Sequence, residues 1–127
     1  FAIGMLDCDG LKEVNDSFGH DKGDEYLKAS AHLICEVFRH SPVFRIGGDE
    51  FAAVLINEDY ENRDALAGKF EIESRKICME AKERWQEIRI SLGLAVYDPE
   101  TDHSVEDTVR RADQIMYEKK RKLRVER

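Results

Sequence analysis

The sequence predicts an α+β domain in which helices flank a mostly antiparallel sheet. Residues 88–97 alternate between large apolar side chains and residues of other kinds, which is typical of a strand. Two short apolar runs around Gly47-Gly48-Asp49-Glu50 predict a β-hairpin. Two longer segments, Asp24 to Arg39 and Arg63 to Arg84, repeat apolar residues at the three- and four-residue steps of amphipathic helices.

The composition indicates one domain and argues against one class of partner. Of the 127 residues, 42% are hydrophobic and 37% charged, which is enough apolar material for a single core. We therefore interpret residues 1–127 as one domain. The formal net charge of −7 predicts no nucleic acid partner, since proteins that depend on phosphate contacts carry a basic face.

The chain carries no visible targeting signal. Its apolar runs extend over about six residues, whereas roughly 20 are needed to cross a bilayer. Three cysteines without metal-ligand or redox spacing indicate a reducing cytoplasm, so we expect a cytoplasmic domain. Because Phe1 already lies in an apparent strand, we expect an N-terminally truncated fragment of a longer protein, with a sensory or membrane region upstream.

The first half of the chain predicts one strand and two helices. The apolar run Phe1 to Leu6 is a buried strand that ends in Asp7-Cys8-Asp9-Gly10. Leu11 to Phe18 is a short helix, and Gly19 to Gly23 is a loop rich in turn formers. The next helix ends at Ser41-Pro42.

The second half supplies the hairpin, a long helix, a strand and a last helix. The hairpin strands are Val43 to Ile46 and Phe51 to Ile56, and Asn57 to Asn62 is a polar loop. Asp98-Pro99 ends the alternating strand, and Ser104-Val105-Glu106-Asp107 resembles a capping box. This order is the ferredoxin-like split βαβ arrangement, in which the third strand lies beside the first.

That topology brings distant acids together. The first and second strands run the same way, so the carboxyl end of the first strand and the hairpin turn share one edge of the sheet. Asp7 and Asp9 are therefore expected near Asp49 and Glu50, and the last helix ends close by. Taken alone, the turn would be a surface feature with solvated acids. Its glycines are expected to supply positive φ values and to leave room for a ligand.

Converging carboxylates repel one another unless a cation lies between them. Ligands that offer only oxygen indicate a hard ion, Mg²⁺ with Mn²⁺ as the alternative, whose shell is completed by water and substrate phosphates. The first turn of the Leu11 helix and Lys12 could receive an anion, which predicts a nucleoside triphosphate. Basic residues near the carboxyl end could complement the helix dipole or bind phosphate: Lys119, Lys120, Arg121, Lys122, Arg124 and Arg127.

Several motifs resemble one known family in the same order. Gly47-Gly48-Asp49-Glu50-Phe51 is similar to the signature of the GGDEF family, the diguanylate cyclases. Asp7 to Asp16 resembles the family's Asp-x-Asp-x-Phe-Lys-x-x-Asn-Asp segment, and Phe18 to Asp24 its Gly-His-x-x-Gly-Asp loop. Ala112 to Tyr117 resembles its C-terminal helix, so the likeness covers nearly the whole chain. It lacks only the family's N-terminal helix and Leu-Thr-Gly-Leu segment.

The resemblance implies a palm-type cyclase that joins two GTP molecules into cyclic di-GMP with release of two pyrophosphates. By position, Asp7 would bind Mg²⁺ through its carboxylate and Cys8 through its backbone carbonyl. Asp49 would bind metal and help deprotonate the attacking 3′-hydroxyl, and Glu50 would support the metal site. Metal-assisted activation of this kind is the general logic of nucleotidyl transfer.

The remaining implied roles concern the substrate. Asn15 and Asp24 would hydrogen-bond guanine, with His20 close to the nucleotide. Gly47 and Gly48 would let the phosphates approach the hairpin backbone. Lys12, Lys120 and Arg124 would neutralise the phosphate charge. Each protomer would hold one GTP, so catalysis would require at least a transient homodimer.

Three segments depart from the family pattern. The product-inhibition motif Arg-x-x-Asp would fall on Phe38-Arg39-His40-Ser41, where neither key residue is present, so feedback inhibition through that site is not expected. Gly10-Leu11 replaces an aromatic pair, a change expected to affect packing near the nucleotide. Leu123-Arg124-Val125 replaces Gly-Arg-Asn and alters the turn around the basic residue.

Two alternatives remain open at this stage. One is a catalytically inactive module that binds GTP or a protein partner, although such modules usually lose signature acids that are present here. The other is a different metal-dependent cyclase or polymerase palm, which Asn15 and Asp24 disfavour because the pair suits guanine's donor and acceptor edge.

Overall fold

The computed structural model describes residues 1–126, with the side chains of residues 1–122. The strands and helices follow in this order: β1 Ala2–Cys8, α1 Leu11–Phe18, α2 His20–Val37, β2 Val43–Arg45, β3 Glu50–Leu55, α3 Asn57–Glu61, α4 Arg63–Glu80, a 3₁₀ turn Arg84–Gln86, β4 Ile90–Val96 and α5 Val105–Glu126. None of the helices in this described part combines the length and apolar character needed to cross a membrane.

The four strands form one antiparallel sheet in the order β2-β3-β1-β4. The predicted α+β class and the position of the third strand beside the first are therefore confirmed. All seven residues of β1 are buried, because the strand has a neighbour on each side and helices on both faces. An apolar run without alternation is typical of such a central strand.

The two faces of the sheet carry separate cores. Helices α1, α2 and α4 cover the larger core, which joins Leu6 and Leu92 to Tyr26, Ile34 and Phe70. Helix α5 covers the other face, where Met116 and Ala112 pack against Ile3, Met5 and Ala95. Gly93 is required for this second contact, because a Cβ there would overlap the α5 backbone at Ala112 and Met116.

Two predicted loops turn out to be partly helical. Helix α2 begins at His20 rather than Asp24, since Gly19 adopts a φ of 91° and its N–H bonds the Asn15 carbonyl, which closes α1 and lets α2 start at once. The short helix α3 replaces the predicted polar loop. The buried Asp59 carboxylate fixes it by accepting bonds from the His40 N–H (3.2 Å) and the Ser41 hydroxyl (2.5 Å).

The long helix and the alternating strand are shorter than predicted. Helix α4 ends at Glu80 instead of Arg84, because Ala81 takes an extended conformation. Gln86 then accepts bonds from the N–H groups of Lys82 and Glu83, each at 3.2 Å, which holds the following turn. Strand β4 starts only at Ile90, where pairing with β1 begins.

An ion pair between a buried carboxylate and a partly exposed arginine secures the connection between β4 and α5. Asp102 is 4% exposed and accepts hydrogen bonds from Arg111, the Thr108 hydroxyl (2.9 Å) and the Asp98 N–H (3.0 Å). Arg111 also donates to the Val96 carbonyl at 2.7 Å, so one guanidinium joins the strand end to the helix. Its hydrogen bonds lower the pKa of Asp102 from 3.8 to about 2.

We predict that Asp102→Asn destabilises the chain in a pH-dependent way. A lowered pKa means that the carboxylate contributes stability in full above about pH 4, and that this contribution is lost as the pH falls through about 2. The difference in unfolding free energy between parent and variant should therefore shrink from pH 7 to pH 2 in urea titrations. Glu106→Gln, an exposed change in the first turn of α5, is the control. A difference that stays constant with pH would contradict the prediction.

Candidate functional site

The carboxyl end of β1 and the hairpin turn lie against each other. The Cys8 N–H donates to the Asp49 carbonyl at 2.8 Å, and Asp7 is directly opposite Glu50 in the β1–β3 register. As a result, one carboxylate oxygen from each of Asp7, Asp49 and Glu50 lies within 4.8 Å of the others. The juxtaposition that the topology predicts is present.

The turn is held open by its own backbone and by one arginine. Ile46 N–H donates to the Glu50 carbonyl at 2.9 Å, while the Arg45 guanidinium donates to the carbonyls of Gly47 (3.1 Å) and Gly48 (2.8 Å). The expectation of positive φ values is wrong, because neither glycine adopts one. A Cβ at either position would meet no atom within 4 Å, so these glycines leave open space above the turn.

A lysine from α5 reaches the same acids. Lys120 Nζ is 3.1 Å from Asp7 Oδ2 and 3.8 Å from Asp9 Oδ1. The other oxygen of Asp9 accepts a 2.5 Å bond from the Ser91 hydroxyl on β4. We call Asp7, Asp9, Asp49 and Glu50, together with Lys120, the acid cluster.

Burial and mutual repulsion disfavour negative charge in the acid cluster. Asp7 is 5% exposed, and its burial raises its pKa above 3.8, with Lys120 opposing the change and the Asp49 carboxylate adding to it. Burial also raises the pKa of Glu50, and the Asp7 carboxylate adds to that effect. Burial raises the pKa of the Cys8 thiol to about 12, so it remains protonated. What Cys8 can offer a cation is its backbone carbonyl.

These residues fit a hard divalent cation. Asp7 Oδ1 is buried and has no hydrogen-bond partner among the described residues. A buried carboxylate oxygen without a donor is costly unless something else satisfies it. Because the donors are all oxygen atoms, the cluster could hold Mg²⁺ or Mn²⁺.

A second group of predicted residues meets at the corner between α1 and α2. The Asn15 side chain lies directly on Gly23, where a Cβ would overlap the Asn15 carboxamide. Glycine at position 23 therefore lets Asn15 approach the start of α2, and Asp24 is the next residue along that helix. This is the local reason for glycine at position 23.

The other residues predicted to bind the substrate are not joined to the acid cluster in the described part of the chain. Lys12 and His20 are exposed, and no hydrogen bond or ion pair in the described part of the chain connects either to the acid cluster. The Arg124 side chain lies outside the described residues. The structure thus unites Asp7, Cys8, Asp49, Glu50 and Lys120, and places Asn15 beside Gly23-Asp24.

Tyr26 is an organising residue that the sequence analysis missed. It is 1% exposed, and its hydroxyl accepts bonds from the N–H groups of Arg89 (2.7 Å) and Gly10 (3.2 Å) and donates to the Arg89 carbonyl (3.3 Å). A Cβ on Gly10 would lie 2.8 Å from the Tyr26 hydroxyl oxygen. The unusual glycine at position 10 therefore makes room for a tyrosine that ties the loop after Asp9 to β4.

Comparison with known proteins places the chain in a group of related domains. Residues 1–126 match the family model described as "Diguanylate cyclase, GGDEF domain". A diguanylate cyclase of Vibrio cholerae is 38% identical over 117 residues, which are 91% of this chain and 36% of that protein. Diguanylate cyclase DgcM of Escherichia coli is 30% identical over 121 residues, 94% of this chain and 28% of that protein. The chain thus spans about a third of these relatives.

Solved structures agree with this result. The active GGEEF domain of a diguanylate cyclase from Vibrio cholerae aligns with a TM-score of 0.77 and 34% identity, over 95% of this chain and 76% of that one. The GGDEF domain of DgcB from Caulobacter crescentus, solved in complex with c-di-GMP, aligns with a TM-score of 0.77 and 28% identity, over 94% and 71% of the two chains.

We predict that Tyr26→Phe lowers the unfolding free energy by about 2 kcal/mol, because it leaves two backbone N–H groups without an acceptor in a buried place. Urea denaturation measures this loss. Tyr117→Phe, at an exposed tyrosine, should change stability little.

Tyr26→Phe should also reduce the cost of Gly10→Ala, since the clash with the hydroxyl disappears. Fully additive effects in this double-mutant cycle would contradict the coupling.

We also predict opposite effects of Asp7→Asn with and without metal. In EDTA at pH 7 the variant should be more stable than the parent, because burial and the Asp49 carboxylate raise the pKa of Asp7 and so oppose its charge in the fold. Added Mg²⁺ should raise the melting temperature of the parent and leave the variant unchanged. Asp64→Asn, at an exposed acid on α4, should respond like the parent. Equal stabilisation of all three proteins by Mg²⁺ would exclude a site at Asp7.

Proposed function

Because the chain belongs to the GGDEF domain family of diguanylate cyclases, we propose that it condenses two GTP molecules into cyclic di-GMP and releases two pyrophosphates. The observation that carries the proposal is the acid cluster, in which Asp7, Asp49 and Glu50 offer oxygens within 4.8 Å of one another beside an open glycine turn. The family signature and the acids of the β1 segment are all present. These are the residues that an inactive member would be expected to lose.

Asp7, Asp49 and Glu50 would hold Mg²⁺ through their carboxylates and Cys8 through its carbonyl, with Mn²⁺ as the alternative. When bound, the ion would neutralise phosphate charge and lower the pKa of the attacking 3′-hydroxyl. Asp49 would accept the proton of that hydroxyl, since it lies half-buried at the mouth of the turn. Glu50, the first residue of β3, would keep the cluster negative enough to retain a cation.

Lys120 would have two positions. In the structure it neutralises Asp7 and Asp9 at 3.1 Å and 3.8 Å. With Asp7 engaged in holding a divalent cation, Lys120 would no longer be needed to neutralise it and would turn toward the triphosphate. Lys12, in the first turn of α1, and Arg124 would add further positive charge to the phosphates.

The open turn would bind the phosphates of the nucleotide, and the α1–α2 corner would bind its base. Gly47 and Gly48 carry no side chain that would block the approach of phosphates to the hairpin backbone. Asn15 and Asp24 would bind guanine through its donor and acceptor edge, and His20 would lie close to the base. The packing of Asn15 on Gly23 supports this assignment, because it orients the carboxamide before the ligand arrives.

The reaction needs two chains. One acid cluster would activate one GTP, so formation of two phosphodiester bonds requires two sites that face each other across a two-fold axis. We therefore propose a homodimer, at least during turnover. In the cell, a sensory region of a longer cytoplasmic or membrane-anchored protein would bring two such domains together. One structural neighbour, the diguanylate cyclase SiaD, was solved in complex with its activator SiaC, so partner proteins can act on this family.

We predict that the concentrated chain converts GTP to cyclic di-GMP with Mg²⁺, detected by mass spectrometry, and that Asp49→Asn forms no detectable product. Asp64→Asn, an exposed change of the same kind on α4, should remain active. If the chain alone is slow, fusion to a dimeric coiled coil should restore turnover.

Three other results would each redirect the assignment. GTP binding without product, even in the dimeric fusion, would indicate a regulatory module. Turnover of ATP would indicate a different palm-type cyclase. Product formation by Asp49→Asn would place the essential acid elsewhere.

A further inference from the structure

Strand β4 has one unpaired edge. It is the last strand of the order β2-β3-β1-β4, so among the residues that the structure describes only β1 pairs with it. Asp9 N–H donates to the Arg89 carbonyl and Tyr97 N–H to the Phe1 carbonyl, both at 2.8 Å. Because hydrogen-bonded pairs alternate along an antiparallel ladder, the N–H and C=O groups of Ile90 and Leu92 point away from β1. Such an edge can accept another strand.

A groove of about 480 Å³ follows this edge between α4 and the carboxyl-terminal part of α5. Its floor is apolar and consists of Phe70, Ile88, Ile90 and Leu92. Its rim carries four cations and one carboxylate: Arg75, Arg89, Lys119, Lys122 and Glu71. We call this feature the β4 groove.

The rim is positive in a chain that is acidic overall. Arg89 lies 3.7 Å from Glu87, and Lys119 lies 4.0 Å from Glu71. Arg75 and Lys122 form no ion pair with any described residue. The whole chain has a net charge of −7, whereas this groove is lined by four cations. Its local charge therefore favours a negative ligand.

We propose that the β4 groove binds an extended acidic segment of a partner protein, which adds a strand to β4. Main-chain bonds to Ile90 and Leu92 would supply affinity, as in other cases of strand addition. Side chains of an added strand alternate between the two faces of the sheet. Apolar side chains would therefore enter the Phe70 side of the groove, and carboxylates would face Lys119 and Lys122 on α5.

Two other occupants fit the groove less well. A second copy of this chain, paired edge to edge through β4, would bring the cationic rims of two grooves close together, and like charges repel. A small free anion could contact the rim, but it would leave the backbone groups of Ile90 and Leu92 unpaired.

The groove adjoins the acid cluster through one residue. Ser91, which lines the groove, lies between Ile90 and Leu92 and donates its hydroxyl to Asp9. A strand added to β4 would restrict the motion of this segment and so of Asp9. The binding surface itself does not depend on the proposed cyclase activity.

The probe for this proposal is the blocked peptide acetyl-Val-Glu-Val-Glu-Val-amide, titrated into ¹⁵N-labelled protein. The amide signals of Ile90 and Leu92 should shift and their hydrogen exchange should slow. Combined Lys119→Glu and Lys122→Glu reversal should weaken binding about tenfold at low salt, the size expected for exposed ion pairs. The reversals Lys28→Glu and Lys69→Glu, at exposed lysines outside the groove, serve as the matched control.

Peptide variants separate strand addition from simple charge attraction. N-methylation of the alternate amides that face β4 should abolish binding, whereas methylation of the other alternate amides should not. The proposal fails if both methylated peptides bind equally, or if a Val-Lys-Val-Lys-Val peptide binds as well as the acidic one. It also fails if glutarate displaces the peptide at equal concentration, which would indicate a small-anion site, or if no peptide binds at all.

Discussion

Repulsion among carboxylates at one edge of the sheet is the constraint on which the rest of the structure depends. Asp7, Asp9, Asp49 and Glu50 meet there although about 40 residues separate the two segments that carry them. Nothing in the acids themselves favours this arrangement, since burial and mutual repulsion both raise the pKa of Asp7. The fold must therefore hold them together by packing elsewhere, which is a common cost of a functional site.

That packing comes from both faces of the sheet. Strand β1 is buried along its whole length, and the bond from Cys8 N–H to the Asp49 carbonyl attaches the hairpin turn to its end. On the other face, the absence of a side chain at Gly93 lets α5 lie directly on β4, and this close approach brings Lys120 within 3.1 Å of Asp7. One glycine in a strand thus determines whether the last helix can supply a counter-charge to the cluster.

The sequence predicted the order of the main strands and helices and the meeting of the acids, because both follow from periodicity and from the topology of a split βαβ unit. It did not predict α3, which depends on Asp59 reaching the His40 N–H and the Ser41 hydroxyl across 18 residues or more. It also misread the hairpin glycines, whose role is open space rather than a positive φ. Tyr26 escaped notice for a similar reason, since its partners Gly10 and Arg89 lie in separate segments. Local patterns cannot reveal contacts of this kind.

Strand β4 combines two tasks that its alternation keeps apart. The backbone of Ser91 pairs with β1, the Arg89 carbonyl accepts the Asp9 N–H, and the Ser91 hydroxyl donates to Asp9, so these positions serve the acid cluster. The backbone of Ile90 and Leu92 points the other way, toward the β4 groove, while their side chains complete the larger core. Tyr26 anchors the segment before the strand by bonding both backbone groups of Arg89. A ligand that shifts the outer edge of β4 would therefore also shift the loop that follows Asp9, because both edges of the strand belong to one backbone.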